Sequence, residues 1–263
     1  MATYNKRGYK PAKEKEEKLD NNFIEDVNVD EKDSATAKAF DALDQTASKT
    51  EDFVAKNQKY ILGGLAVIAL LTIGYLLYQR FIAEPSQEEA TDELFVAQQN
   101  YQKAVDATVA KSQDSLFNLV IKGSEGKLGV IGISEQYSGT DAGNLANYYA
   151  GVSYLNLKKY DDAIKYLEKF SSKDAVIGSE SIGLIGDAYS QKNDANKALE
   201  FYVKAARNTT NELTTPVFLL KAGKTALALG NKSDALTYFT EIKEKYEATP
   251  EAQTIDGLIG MAQ

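Results

Sequence analysis

The sequence has no cysteine, no histidine and no tryptophan among its 263 residues. Without cysteine there is no thiolate nucleophile and no disulfide; without histidine there is no imidazole base and no imidazole ligand for zinc or haem. The commonest catalytic reagents are therefore missing. Positive charge is also in deficit, 30 Lys and Arg against 38 Asp and Glu, for a formal charge of −8. A phosphate backbone is held mainly by clustered Lys and Arg, so this balance argues against nucleic acid as a main partner. No Gly-rich phosphate loop follows a strand and no paired histidines occur, so we assign no catalytic residue, no cofactor, no metal site and no small-molecule substrate. The missing cysteines fit an oxidising compartment without proving one.

What the sequence does contain is one long uncharged run. From Tyr60 to Gln79 no side chain is charged, and Ile61 to Tyr78 is nearly all apolar. That is enough helix to cross the hydrocarbon core, which predicts a transmembrane helix over 60–80. Tyr60 marks one edge and Tyr75, Tyr78 and Phe81 the other, at the level where amphipathic rings sit, and Lys59 and Arg80 close the segment. A buried core helix is one competing reading, opposed by so long an uncharged run with aromatic ends, and a cleaved signal peptide is the other. Against it stand the 59 polar residues that precede the run and the poor cleavage site at Ala83-Glu84-Pro85. Lys49, Lys56 and Lys59 precede the span, whereas Arg80 is the only basic residue after it until Lys103. The positive-inside rule then puts residues 1–59 in the cytoplasm and the C-terminal part outside it.

Residues 1–33 hold few large apolar groups and predict a disordered tail, with a basic arm (Lys6, Arg7, Lys10, Lys13, Lys15, Lys18) before an acidic stretch from Asp20 to Asp33. A solvated tail is one reading of the arm; contact with anionic lipid or ribosomal RNA is the other. Between Ser34, a candidate cap, and Lys59, the residues Ala37 or Phe40, Leu43, Ala47 and Val54 recur at helical spacing, so a short amphipathic helix is expected to run into the span.

Beyond the span the chain repeats itself. When Gly151, Gly186 and Gly223 are aligned, Ala163, Ala198 and Ala235 each fall twelve residues later, and Leu167, Tyr202 and Phe239 four residues after those. The period is 35, then 37. Tyr154 and Tyr189 stand three after the first two glycines; the third copy has Ala226 there. Each copy has a polar break where a hairpin must turn: Lys158 to Asp161, Lys192 to Asp194 and Gly230 to Ser233. Asp161, Asp194 and Ser233 are expected to cap the second helices.

This pattern resembles the tetratricopeptide repeat, in which small residues let two antiparallel helices approach and an aromatic fills the space beside them. The resemblance implies a repeat α-solenoid over 86–263 with repeats at about 144–177, 179–212 and 216–249, which with the disordered N-terminal tail and the one transmembrane helix read above makes an all-α fold. A helix from about Glu88 to Ala110, with Leu94, Ala97, Tyr101 and Val105 on one face, and half of a degenerate repeat at Leu128 to Tyr137 would close one end. A short helix from Pro250 to Ala262 would close the other. In this family partners bind in the groove lined by the first helices, which carries over to Leu145, Tyr148, Val152, Leu155, Leu184, Asp187, Ser190, Lys221 and Lys224. Burial of the apolar members under the Glu88 to Ala110 helix is the competing reading. Tyr148 and Val152 stand where a chaperone-tail clamp needs Lys and Asn, so that specificity is not implied.

The anchor, the external repeats and the stretch from Gly139 to Phe170 together resemble the YfgM-like ancillary subunits of the bacterial SecYEG translocon. That resemblance implies a single-pass protein of the bacterial inner membrane with a cytoplasmic N-terminus and a periplasmic repeat domain. Its implied partners are the SecYEG translocon, a membrane-anchored periplasmic chaperone and nascent secreted chains, with one span in lipid. A scaffold for another envelope assembly, in secretion, motility or the cell wall, is the alternative.

Overall fold

The computed structural model describes residues 35–263, so the basic arm, the acidic stretch and the Ser34 cap lie outside the described residues, as do the side chains of Ala37 and Phe40. Every regular element among the described residues is helical. The chain divides into two compact units, Met1–Leu71 and Thr72–Gln263.

The first unit holds most of α1, Ala35–Tyr78, a single helix of 44 residues that joins the amphipathic stretch to the apolar run without interruption. Among the described residues one helix is long and apolar enough to cross a membrane, and none of its apolar window is buried inside the protein.

In the second unit, a π-helical turn at Gln79–Ala83 leads into α2, Glu84–Asp106. The Glu84 N–H reaches back five residues to the Gln79 carbonyl. Pro85 is the physical cause: its ring crowds the carbonyl four residues earlier and it has no N–H to donate, so the helix widens by one residue instead of breaking. The inward face of α2 is Ala90, Leu94, Ala97, Asn100 and Ala104; Val105, expected on that face, is half exposed, and α2 ends at Asp106, short of Ala110. A helix not foreseen, α3 (Ala110–Lys122), folds back on α2 and buries Phe117, Val120 and Ile121. The expected half repeat is α4, Val130–Gln136, which packs on the following helix.

Three hairpins follow: α5 (Asp141–Asn156) with α6 (Tyr160–Leu167), α7 (Ala175–Gln191) with α8 (Ala195–Asn208), and α9 (Thr215–Ala228) with α10 (Lys232–Lys245). A 3₁₀ turn, Pro250–Thr254, and α11, Ile255–Ala262, close the array by burying Ile255 and Ala262 against the last hairpin. Within each hairpin the aligned residues meet. A Cβ on Gly223 would lie 2.3 Å from the Phe239 ring, one on Gly186 2.7 Å from the Tyr202 ring, and one on Gly151 2.5 Å from Leu167. Ala163, Ala198 and Ala235 are each fully buried. Tyr154 stacks on Tyr166 at 5.6 Å and Tyr189 on Phe201 at 5.4 Å, a pair the third hairpin lacks because Ala226 stands at the position of those two tyrosines.

The turns repeat as faithfully as the helices. Lys158, Asn193 and Gly230 all have positive φ, at 59°, 59° and 81°, and each falls seven residues after its aligned glycine. The next N–H in each case bonds back to the carbonyl of Tyr154, Tyr189 or Ala226. This is the Schellman closure, which uses a left-handed residue to satisfy the free carbonyls of a helix end. It also corrects the capping expectation. The left-handed residue places the cap immediately after itself, at Lys159, Asp194 and Asn231, so only Asp194 caps, accepting from the Lys197 N–H at 3.1 Å. Asp161 and Ser233 lie inside the first turns of α6 and α10, and Asp161 instead pairs with Lys192.

Left-handed backbone is strained for any residue with a Cβ, which sets the sign of two substitutions. Lys158→Gly is expected to stabilise the full chain in detergent by about 0.5–1 kcal/mol, and Gly230→Ala to destabilise it by about 1 kcal/mol, both read from thermal or denaturant unfolding.

Candidate protein-binding groove

The first helices of the second and third hairpins, α7 and α9, meet where a small residue lets them. A Cβ on Gly183 of α7 would lie 1.9 Å from the Phe218 ring of α9, so that ring occupies the space a side chain would take. Neighbouring positions on these helices then come within reach. Lys221 on α9 places its Nζ 2.8 Å from both carboxylate oxygens of Asp187 on α7. Tyr202, the register aromatic of α8, donates its hydroxyl to the same carboxylate at 2.8 Å. Asp187 is thus held from two sides. The Tyr202 phenol is pushed well above its ordinary value, first by burial and then by the Asp187 charge.

On α5, Tyr148 packs its ring 5.2 Å from Phe170 and 5.9 Å from Tyr149. Burial pushes its hydroxyl up to about 12, with the negative charge of Glu180 adding to the effect. Glu180, on α7, is itself half-buried. Desolvation raises its carboxyl above the ordinary range; Lys221 opposes that shift and Asp187 reinforces it.

Seven of the nine groove positions read from the sequence fall in three overlapping groups. Tyr148, Leu155 and Leu184 gather in one apolar cluster with Ile164, Leu167 and Ile185. Leu155, Asp187 and Ser190 share a shallow cleft of about 360 Å³ that also includes Tyr160, Gln191 and Tyr202. Lys221 is tied to Asp187, and Lys224 is exposed. Two positions depart from the expectation. Val152 is only 8% exposed and belongs to the interior of the wall. Leu145 packs in a separate cluster with Ala90, Leu94, Val120 and Tyr149, so the α2 and α3 pair takes up that end of α5. Tyr101 of α2 meets Tyr149 edge-on at 4.9 Å, fixing the cover in place.

Glu180 is the residue that sequence reasoning missed. Its offset, six before Gly186, is that of Leu145 before Gly151, so the register itself carried the signal. Among the described residues no group of acidic side chains is arranged to hold a metal ion. What the face presents is a set of apolar side chains beside two carboxylates, Glu180 and Asp187, and two ammonium groups, Lys221 and Lys224.

One tetratricopeptide repeat model matches residues 145–174 and 218–248, and a second tetratricopeptide repeat model matches residues 179–209. The matched segments coincide with the three hairpins, and repeats of this kind are protein-interaction modules. None of the curated proteins compared with the chain matches it.

Glu180 gives a prediction in pH. A carboxyl whose folded value is raised binds its proton more tightly in the native state, so its contribution to stability falls as pH rises from the ordinary 4.5 through the raised value. The Glu180→Gln variant lacks that loss. Its stability relative to the parent chain is expected to increase with pH across the interval and then level off, measured by denaturant unfolding at a series of pH values.

Proposed function

We propose that three tetratricopeptide repeats carried on one apolar helix make this chain a membrane-anchored docking subunit, with residues 1–59 cytoplasmic, a span over 60–80 and the repeats of 86–263 in the periplasm of a bacterial inner membrane. The observation that carries the reading is the pairing of two features in one polypeptide. An apolar helix with no protein cover needs a hydrocarbon surrounding, and a repeat groove is built from fixed helices with an uncovered, mixed apolar and charged face. Lys49, Lys56 and Lys59 on one side against Arg80 on the other supply the orientation.

Within that class the reading we favour is an ancillary subunit of the SecYEG translocon that works with a membrane-anchored periplasmic chaperone on secreted chains as they emerge. Its support is architectural: a single anchor followed by external repeats, with the Gly139 to Phe170 stretch resembling the YfgM-like subunits. The groove suits emerging chains, because Tyr148, Leu155 and Leu184 offer apolar contact while Glu180, Asp187, Lys221 and Lys224 offer both signs of charge.

Two measurements test the proposal. Protease added to intact spheroplasts is expected to digest the repeats and spare residues 1–59; full protection of the repeats would refute the orientation. Photo-crosslinkers placed at Lys221 and Lys224 are expected to capture a translocon subunit, a periplasmic chaperone or a secreted chain, while one at the buried Val152 captures roughly tenfold less. Recovery of an unrelated envelope machine from both positions would replace the translocon with that machine.

A further inference from the structure

Helix α1 carries a pattern that neither the repeats nor the span accounts for. Ahead of the apolar run, Leu43 is 66% exposed and Val54 46%. These two side chains line a shallow groove along one side of the helix together with Ala47 and Thr50 of the same face and Thr46, Glu51, Ala55 and Gln58 at its edges. Leu43, Ala47, Thr50, Val54 and Asn57 follow one another at alternating intervals of four and three residues, and the alternation continues unbroken through Ile61, Gly64, Ile68 and Leu71. No member of the series is charged. Asp44, Glu51, Asp52, Lys56 and Lys59 all fall off it. A mean spacing of 3.5 residues, kept over four heptads, is the spacing of a helix that supercoils around a second helix, since an isolated straight helix has 3.6 residues per turn.

We propose that α1 pairs with α1 of a second copy of this chain, parallel and in register, along the stripe from Leu43 to Leu71. Identical chains inserted by the same span necessarily point the same way, so every residue of the stripe meets its own copy. A stripe free of charge satisfies that condition, whereas any stripe containing Lys56 or Lys59 would set like charges against each other. Asn57 supplies the register. Its Nδ2 donates to the Phe53 carbonyl at 2.8 Å, leaving a second amide hydrogen and the Oδ1 to bond with Asn57 of the other copy. Inside the apolar run Gly64 has nothing within 4 Å of where a Cβ would stand, so two backbones can approach closely there.

The pairing shares with the proposed function only the membrane-spanning orientation, and its test separates the two. Because the natural chain has no cysteine, single substitutions report cleanly: Ala47→Cys, Thr50→Cys and Val54→Cys on the stripe, Ser48→Cys and Asp52→Cys off it and outside the groove. Each full-length variant is first extracted at alkaline pH, and release from the membrane would sink the span reading itself. On oxidation in the membrane, the stripe variants are expected to form roughly fivefold or more covalent dimer than the off-stripe variants, because only facing positions meet the distance a disulfide needs. Adding Val54→Glu to Thr50→Cys is expected to return the dimer to the off-stripe level. Equal crosslinking at all five positions, or stripe cysteines linked to a different protein, would overturn the pairing.

Discussion

The repeat array depends on the absence of a side chain at three glycines. Gly151, Gly186 and Gly223 let Leu167, Tyr202 and Phe239 lie directly on the backbone of the first helix, at separations no Cβ could share. Closing each hairpin this tightly fixes the positions of α5, α7 and α9, and Phe218 against Gly183 repeats the device between hairpins. Interiors are close-packed, so displacing one ring by one carbon shifts the helix that carries it and every contact beyond. The groove is a by-product of these approaches. Asp187 and Lys221 can meet at 2.8 Å only because the helices beneath them are held that near.

Upon this constant framework the middle repeat differs in a way that carries chemistry. The positions one residue after the aligned glycines are Val152, Asp187 and Lys224, and the residues filling the hairpins are Leu167, Tyr202 and Phe239. Only the tyrosine has a hydroxyl, and only its repeat offers a carboxylate to receive it. The packing side chain of the second helix therefore anchors a charge on the first, at 2.8 Å. The same residue closes the hairpin and orients the groove. Glu180, without such a donor, takes the consequence of burial as a raised carboxyl.

Much of this was legible because repeats make weak signals recur. A single glycine or alanine says little, but three of each at fixed offsets, joined by an aromatic or leucine, describe a packing interface in sequence terms. The left-handed turn residues were visible only as polar breaks. Lys158 has no composition that announces positive φ, and its geometry follows from the helix end it must close. Leu145 follows the competing reading, burial under the helix after the span, and the sequence left the two open because the choice depends on which face of α5 the α2 and α3 pair covers, a contact between segments far apart in the chain. α3 itself escaped notice since its apolar residues, Phe117, Val120 and Ile121, crowd into one turn and show no extended period.

The chain meets the same physical problem, apolar helix surface, with two different solutions set by period. In the repeats, faces at the 3.6-residue spacing are covered by stacking, so each hairpin buries what its neighbour exposes and α11 buries the last. Among the described residues the apolar window of α1 is wholly uncovered. Hydrocarbon can cover Ile61 to Leu77 but not Leu43 or Val54, which stand at least seven residues, some 10 Å of helix, before the apolar run begins. Exposed leucine and valine in water gain roughly 25 cal/mol for each Å² they bury, so a surface that lipid cannot reach favours a second helix. The 3.5-residue stripe supplies the geometry for that helix. The cover for the first part of α1 is thus of the same kind as the cover within the repeats, one helix against another, with the second helix drawn from another molecule.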